Sequence, residues 1–145
     1  VKSSAASDVY KRQGLSVSFA TTEIETNVTG TTGDNDVVKV SYAYGPVTAT
    51  YSNMEQDVST TSDAGETDSY ALSYTISDEL SVTYGSETHE QGDSTTDIEV
   101  DGFSVAYTTG GMTISAVMQS AENLNHETGS QYDMDYWKLG ASFAF

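Results

Sequence analysis

From residue 14 onward, apolar and polar side chains alternate one for one. Leu15, Val17 and Phe19 are interleaved with Ser16 and Ser18; Val38, Val40, Tyr42 and Tyr44 with Lys39, Ser41 and Ala43. After Gly45-Pro46 the pattern resumes as Val47, Ala49, Tyr51. It returns as Leu72, Tyr74, Ile76 and then Leu80, Val82, Tyr84. It returns again as Phe103, Val105, Tyr107 and then Met112, Ile114, Ala116, Met118, and closes on Trp137, Leu139, Ala141, Phe143, Phe145. A period of two, rich in β-branched and aromatic residues and punctuated by glycine, predicts antiparallel strands. The spacing predicts eight of them, an all-β chain.

The connections are of two kinds. Gly45-Pro46, Ser77 to Glu79 and Thr108 to Gly111 are tight, whereas the segments near 28–36, 55–68, 87–98 and 121–133 are long and polar. Tight turns alternating with long loops place every long loop at one end of the sheet, the layout of an up-and-down outer-membrane β-barrel. Counting along each strand from its tight-turn end supports this. The first acidic residue lies seven to ten residues away on every strand, if Asp101 near the rim is passed over. A charge-poor band of about nine residues is what a tilted strand needs to cross hydrocarbon. Ile98 and Val100 break parity with Phe103, and Tyr132 and Met134 with Trp137; these are expected to be bulges or sheet extending above the bilayer.

Composition removes several classes of function. Only 37% of the 145 residues are hydrophobic, Ser and Thr number 40 and Leu only five, so a packed helical protein is not expected. No apolar run approaches the ~20 residues of a transmembrane helix, and no cysteine is present for disulfides or thiolate metal sites. A net charge of -17 argues against nucleic acid, whose phosphates are bound by Lys and Arg.

Residues 1–13, VKSSAASDVYKRQ, stand apart. They carry three of the five basic residues, show no alternation and lack the apolar region of a secretory signal. They are expected to be a non-native or disordered leader, with 14–145 as a barrel segment truncated at its N-terminus.

Opposite the apolar side the strands carry small hydroxyl-bearing or methyl side chains, including Ser41, Thr48, Thr50, Ser73, Thr83, Ser104, Thr113 and Ser115. An eight-stranded barrel has an interior just wide enough for side chains to fill, and side chains this short would not fill it. A wider, watered barrel suits them, so the eight strands are expected to form one side of a larger barrel. These hydroxyls, with Lys39 and Lys138 on the same parity, are the candidate pore lining; rim or subunit-contact positions are an equal alternative for the two lysines.

The terminal sequence YWKLGASFAF, with Trp137, Leu139, Phe143 and a last aromatic, Phe145, resembles the terminal strand of Gram-negative outer-membrane proteins. The hairpins VSYAYGPVTATYS, LSYTISDELSVTYG and FSVAYTTGGMTISA are similar to the carboxyl-terminal hairpins of general porins of the alphaproteobacterial kind. The resemblance covers Gly14 to Phe145. It implies an outer-membrane location and the C-terminal half of a sixteen-stranded transmembrane β-barrel, homotrimeric when full length. It also implies that Trp137, Leu139, Phe143 and Phe145 form the membrane-assembly signal read by the barrel-assembly machinery, with outer-membrane lipid and lipopolysaccharide as the surroundings. The family's constriction loop belongs to the first half, so no eyelet residue is assigned.

Nineteen of the 21 acidic residues after Gln13 lie toward the long-loop end. Asp57, Asp63, Glu66, Glu90, Asp93 and Asp97 are the candidate acidic mouth, which would concentrate cations; solubilising acidic loops are the plainer reading. Asp34-Asn35-Asp36 and Asp133-Met134-Asp135 offer closely spaced oxygens for Ca²⁺ bridging, but neither has the ligand count of a calcium loop. Otherwise no cofactor or metal is expected. His89 and His126 are solitary, no nucleophile turn such as GxSxG is present, and no catalysis is expected. The reading is a porin for small hydrophilic solutes and ions, preferring cations. The alternatives are a small closed eight-stranded outer-membrane barrel serving adhesion or membrane integrity, and a secreted acidic β-repeat protein.

Overall fold

The computed structural model describes the backbone of residues 2–12, 14–25, 32–58 and 64–144, and the side chains of 14–23, 33–58 and 64–144. Nine antiparallel strands lie side by side in one sheet, in chain order: β1 (Lys2–Arg12), β2 (Leu15–Glu25), β3 (Thr32–Tyr44), β4 (Val47–Val58), β5 (Gly65–Thr75), β6 (Leu80–Gln91), β7 (Ile98–Thr109), β8 (Met112–Glu122) and β9 (Met134–Phe143). Two short 3₁₀ turns, Leu124–His126 and Ser130–Tyr132, are the only helical segments among the described residues. The eight alternating segments are strands β2 to β9. The backbone of the leader forms a ninth along the outer edge of β2. Among the described residues no ladder joins β1 to β9, so the sheet is open.

Tight turns link β3 to β4, β5 to β6 and β7 to β8, all at one end, and each reflects its sequence. Gly45 takes a positive φ of 57° at the first central position and Pro46 follows, the Gly-X arrangement of a type II′ hairpin. Gly110 and Gly111 both have positive φ, 54° and 80°, as a type I′ turn demands. In the third turn the Ser77 hydroxyl accepts the backbone N–H groups of Glu79 and Leu80. Backbone bonds continue between hairpins into the turns: Ala43 N–H donates to Gly14, Thr75 to Pro46, Thr108 to Glu79 and Ala144 to Gly111, each at 2.8 Å.

Every ladder runs without interruption, one residue opposite one residue. The parity changes at Ile98–Val100 and at Met134 are therefore not bulges. β7 and β9 keep their pleat, and the residue types change sides. Strands also run further into the polar segments than alternation suggested: β6 continues to Gln91 and β7 begins at Ile98, so the expected 87–98 loop shrinks to 92–97. The reason is that backbone hydrogen bonds, not side-chain polarity, extend a strand once its neighbour is in register.

No core forms on either side. Ala121 is the one buried hydrophobic residue among those described, and no side chain is fully buried, while Trp137 is 77% exposed and Leu139 68%. A β-sandwich would bury these residues between two sheets; here one sheet presents both faces.

A Cβ on Gly110 would meet nothing within 4 Å, so its left-handed backbone is the whole constraint. Gly110→Val is expected to destabilise the protein by about 1–2 kcal/mol, and Gly110→Asn by much less, because asparagine tolerates this region. Equilibrium unfolding of the two variants in one solvent makes the comparison.

Candidate functional site: the two faces of the sheet

Residues directly opposite in a ladder share a face, so the registers sort the side chains. One row runs Leu15, Tyr42, Ala49, Leu72, Tyr84, Phe103, Met118, Trp137 across eight strands. The next toward the turns runs Tyr44, Val47, Tyr74, Val82, Val105, Ala116, Leu139. Both are apolar throughout, and most of their large members are exposed. Trp137, Leu139 and Phe143 of the expected assembly signal stand on this face of β9; Phe145 lies outside the described residues.

The same face turns acidic toward the long loops. Glu23, Asp34 and Asp57 form one row; Asp36, Glu55, Glu66 and Glu90 form another; Glu99 faces Glu122. Among strand carboxylates with described side chains, only Glu87 points the other way, in register with Ser69 and Val100. No Lys, Arg or His side chain described in the structure stands on this face: Lys39 pairs with Ser52, Lys138 with Val117 and His89 with Thr67, all on the opposite one.

The edge of the acidic zone is oblique to the strands. In β2 its first carboxylate, Glu23, comes eight residues beyond the Leu15–Trp137 row; in β9, Asp135 comes two beyond it. The boundary thus drops by six residues across seven strand spacings. At about 3.4 Å per residue and 4.8 Å per spacing, that is a slope of about 30°. The turn end drops in parallel, from Leu15 itself in β2 to Phe143, six residues past Trp137, in β9. The apolar zone is therefore an oblique belt, eight residues from turn end to first carboxylate in both β2 and β9, crossed by strands tilted about 30° to its normal.

The second face is where the hydroxyls gather. All ten expected lining residues lie on it: Lys39, Ser41, Thr48 and Thr50 on β3 and β4, Ser73 and Thr83 on β5 and β6, and Ser104, Thr113, Ser115 and Lys138 on β7 to β9. Cross-strand hydroxyl bonds tie them: Ser41 to Thr50 at 3.1 Å and Ser73 to Thr83 at 2.9 Å. A trough of about 590 Å³ is lined by Lys39, Ser52, Ser69, Thr83, Ser104 and Gln119, from six consecutive strands. For one cavity to reach from β3 to β8 the sheet must curl toward this side, so the hydroxyl face is the hollow one.

At its loop end the hollow face becomes apolar. Met54, Val58, Ile98, Val100 and Leu124 line a second cavity of about 850 Å³, with His89 and His126. His89 is held by Glu87 at 2.7 Å and Thr67 at 3.0 Å, which engage both ring nitrogens. The His126 ring meets the Thr96 carbonyl at 2.8 Å, and the Asn123 amide donates to that of Asp97. These bonds tie the 123–126 segment to residues 96 and 97 beside the second cavity, with Asn123, Asn125 and His126 at positive φ. Polarity therefore inverts through the sheet: apolar backs hydroxyl in one half, and carboxylate backs apolar in the other.

Of the expected mouth residues, Asp57, Glu66 and Glu90 stand on the belt face by register, Glu66 and Glu90 also bordering the second cavity; Asp93 and Asp97 lie in the loop between β6 and β7, and Asp63 is outside the described residues. In Asp34-Asn35-Asp36 the strand's alternation sends Asn35 to the face opposite the two carboxylates, so the three oxygens diverge. Asp133 accepts the Asn123 N–H at 3.3 Å.

The alternation left one pair of contacts unread. Tyr51 donates to Asp68 and Tyr84 to Asp101, both at 2.6 Å. Both pairs span 17 residues and join neighbouring strands, so the register between those strands is what brings them together. They place Tyr51 and Tyr84 on the loop side of the belt, while Tyr107 at the turn side donates to Glu79 at 3.2 Å.

No protein-family model matches the chain, and no curated protein is significantly similar to it.

Like charges directly opposite one another in a ladder destabilise it by up to about 1 kcal/mol per pair. Glu55 faces Asp36 on one side and Glu66 on the other. Glu55→Gln is expected to raise the unfolding temperature, and the gain to shrink as NaCl is raised, since salt screens exposed carboxylates. Thermal unfolding of parent and variant at low and high salt checks both.

Proposed function

We propose that this chain is part of a porin in the outer membrane of a Gram-negative bacterium, of the general alphaproteobacterial kind. In this reading it is a passive channel, not an enzyme, and needs no cofactor. The observation that carries the reading is the slanted, charge-free belt on the outward face. Hydrocarbon excludes charge to a fixed depth, and barrel strands cross it tilted by about 35–45°; the ~30° slope is close to that geometry. A water-exposed sheet has no reason to keep carboxylates off every strand below one oblique line.

The belt then meets acyl chains and the hollow hydroxyl face meets water. The trough supports a wide lumen, because its short side chains leave open space where a small closed barrel would need filling. The full protein is a sixteen-stranded homotrimer in this reading, inserted by the barrel-assembly machinery through the β9 signal, and the outward carboxylates above the belt face lipopolysaccharide. Solutes are small and hydrophilic.

A cation preference arises here from the field of the whole acidic end, not from a ring inside the mouth. The trough itself carries Lys39 and Glu87, and Lys138 stands on the same face of β9. The preference is therefore long-range and easily screened. Cation-over-anion selectivity of the complete protein in a planar bilayer is expected to fall sharply between 0.1 M and 1 M KCl, where the Debye length drops from about 10 Å to 3 Å. Absence of ion-permeable steps would end the porin reading.

Orientation is tested by neighbouring substitutions in β9. Ala141→Asp places a charge on the belt, at a cost of about 2 kcal/mol near mid-bilayer, and is expected to block membrane assembly. Ser142→Asp, on the hollow face opposite Thr113, is expected to assemble normally. Heat-modifiability of membrane fractions reports assembly; equal behaviour of the two variants contradicts the assignment of faces.

A further inference from the structure

Between β3 and β6 the belt contains a groove of about 340 Å³, walled by Val40, Tyr42, Tyr51, Tyr70, Leu72 and Tyr84. It exists because Ala49 is the one small side chain among the larger residues of its row, set between Tyr42 and Leu72. The rings of Tyr51 and Tyr70 meet at its loop end with centroids 4.9 Å apart and a tilt of 34°.

Two of the groove's tyrosines hold carboxylates at their phenol ends. Asp68 accepts the Tyr51 phenol and, at 3.2 Å, the Asn53 amide, which also reaches Glu66 at 2.5 Å. Asp101 accepts the Tyr84 phenol at 2.6 Å. The two phenol bonds each hold an aromatic ring beside a negative charge, and no described cationic side chain shares the face to neutralise them.

We propose that this groove is a binding site for one lipid with an ammonium headgroup. The acyl chain lies over Ala49, and the ammonium sits against the Tyr51 and Tyr70 rings between Asp68 and Asp101. The inference rests on the reading that the belt faces a bilayer. Charge complementarity selects a cationic head, and the rings select an organic cation, which ring faces attract electrostatically. A bare divalent ion is a poorer occupant, since it needs several convergent oxygens and these strand carboxylates are spread along the sheet.

The test uses the full chain reconstituted in vesicles of equal phosphatidylcholine and phosphatidylglycerol with identical acyl chains. The protein is extracted in mild detergent and its retained lipid quantified by mass spectrometry. Phosphatidylcholine is expected to be enriched about fivefold over the bulk ratio. Tyr70→Phe should keep the enrichment, and Tyr70→Leu and Asp68→Asn should lose it. Ala49→Trp, which fills the groove, should lose the retained lipid altogether. Insertion with lipid retained at the bulk ratio overturns this site and leaves the membrane reading intact. Failure to float with the vesicles overturns both. Insertion as an oligomer with no retained lipid overturns the site as well, by assigning the groove to a second copy of the chain.

Discussion

A β-sheet satisfies its backbone from within but cannot cover its own faces, and everything in this protein follows from that. The ladders from β2 to β9 are unbroken, yet among the described residues only Ala121 is buried. In water such a sheet has little to set against the conformational entropy of ordering it. Stability has to come from what lies against the two faces. Their chemistry differs enough to say that they face different surroundings: aromatic and aliphatic on one side, hydroxyl on the other.

The inversion of polarity along the strands divides the sheet a second time. Toward the turns, the belt of Tyr, Val, Leu and Trp backs the hydroxyl trough. Toward the loops, rows of carboxylates back Met54, Val58, Ile98 and Val100. The carboxylate rows place like charges directly opposite one another, an arrangement unfavourable in itself. Their oblique border falls in the same direction as the line of tight turns, so the apolar belt has the same height in β2 as in β9. A slanted border is what a sheet of tilted strands must show if one plane outside the protein sets where charge begins.

Much of this was legible along the chain because a strand's side chains alternate strictly. Val38-Lys39-Val40-Ser41-Tyr42 declares both the strand and its two faces, and Gly110-Gly111 declares its turn. What alternation could not supply was the extent of the strands beyond the belt. Thr88, Glu90 and Gln91 read as loop by composition, yet they are held in the ladder by β5. Nor could it tell a bulge from a change of residue type at Ile98 and Val100, since both shift the apolar period by one; only the unbroken register against Glu87 and Ala121 decides between them.

The acidic residues mark the same divide. Their bias toward the loop end is a matter of counting and needs no coordinates. Which face they occupy is not, because a carboxylate in a segment taken for loop has no parity. Sequence by itself determined the all-β character, the number of alternating strands and the identity of each hairpin, since these depend on contacts near in the chain and on a period of two. Tertiary structure alone decided the open sheet, the hollow side, the outward carboxylates and the tyrosine–aspartate pairs, because each depends on the register between strands, which is set by pairing across the sheet.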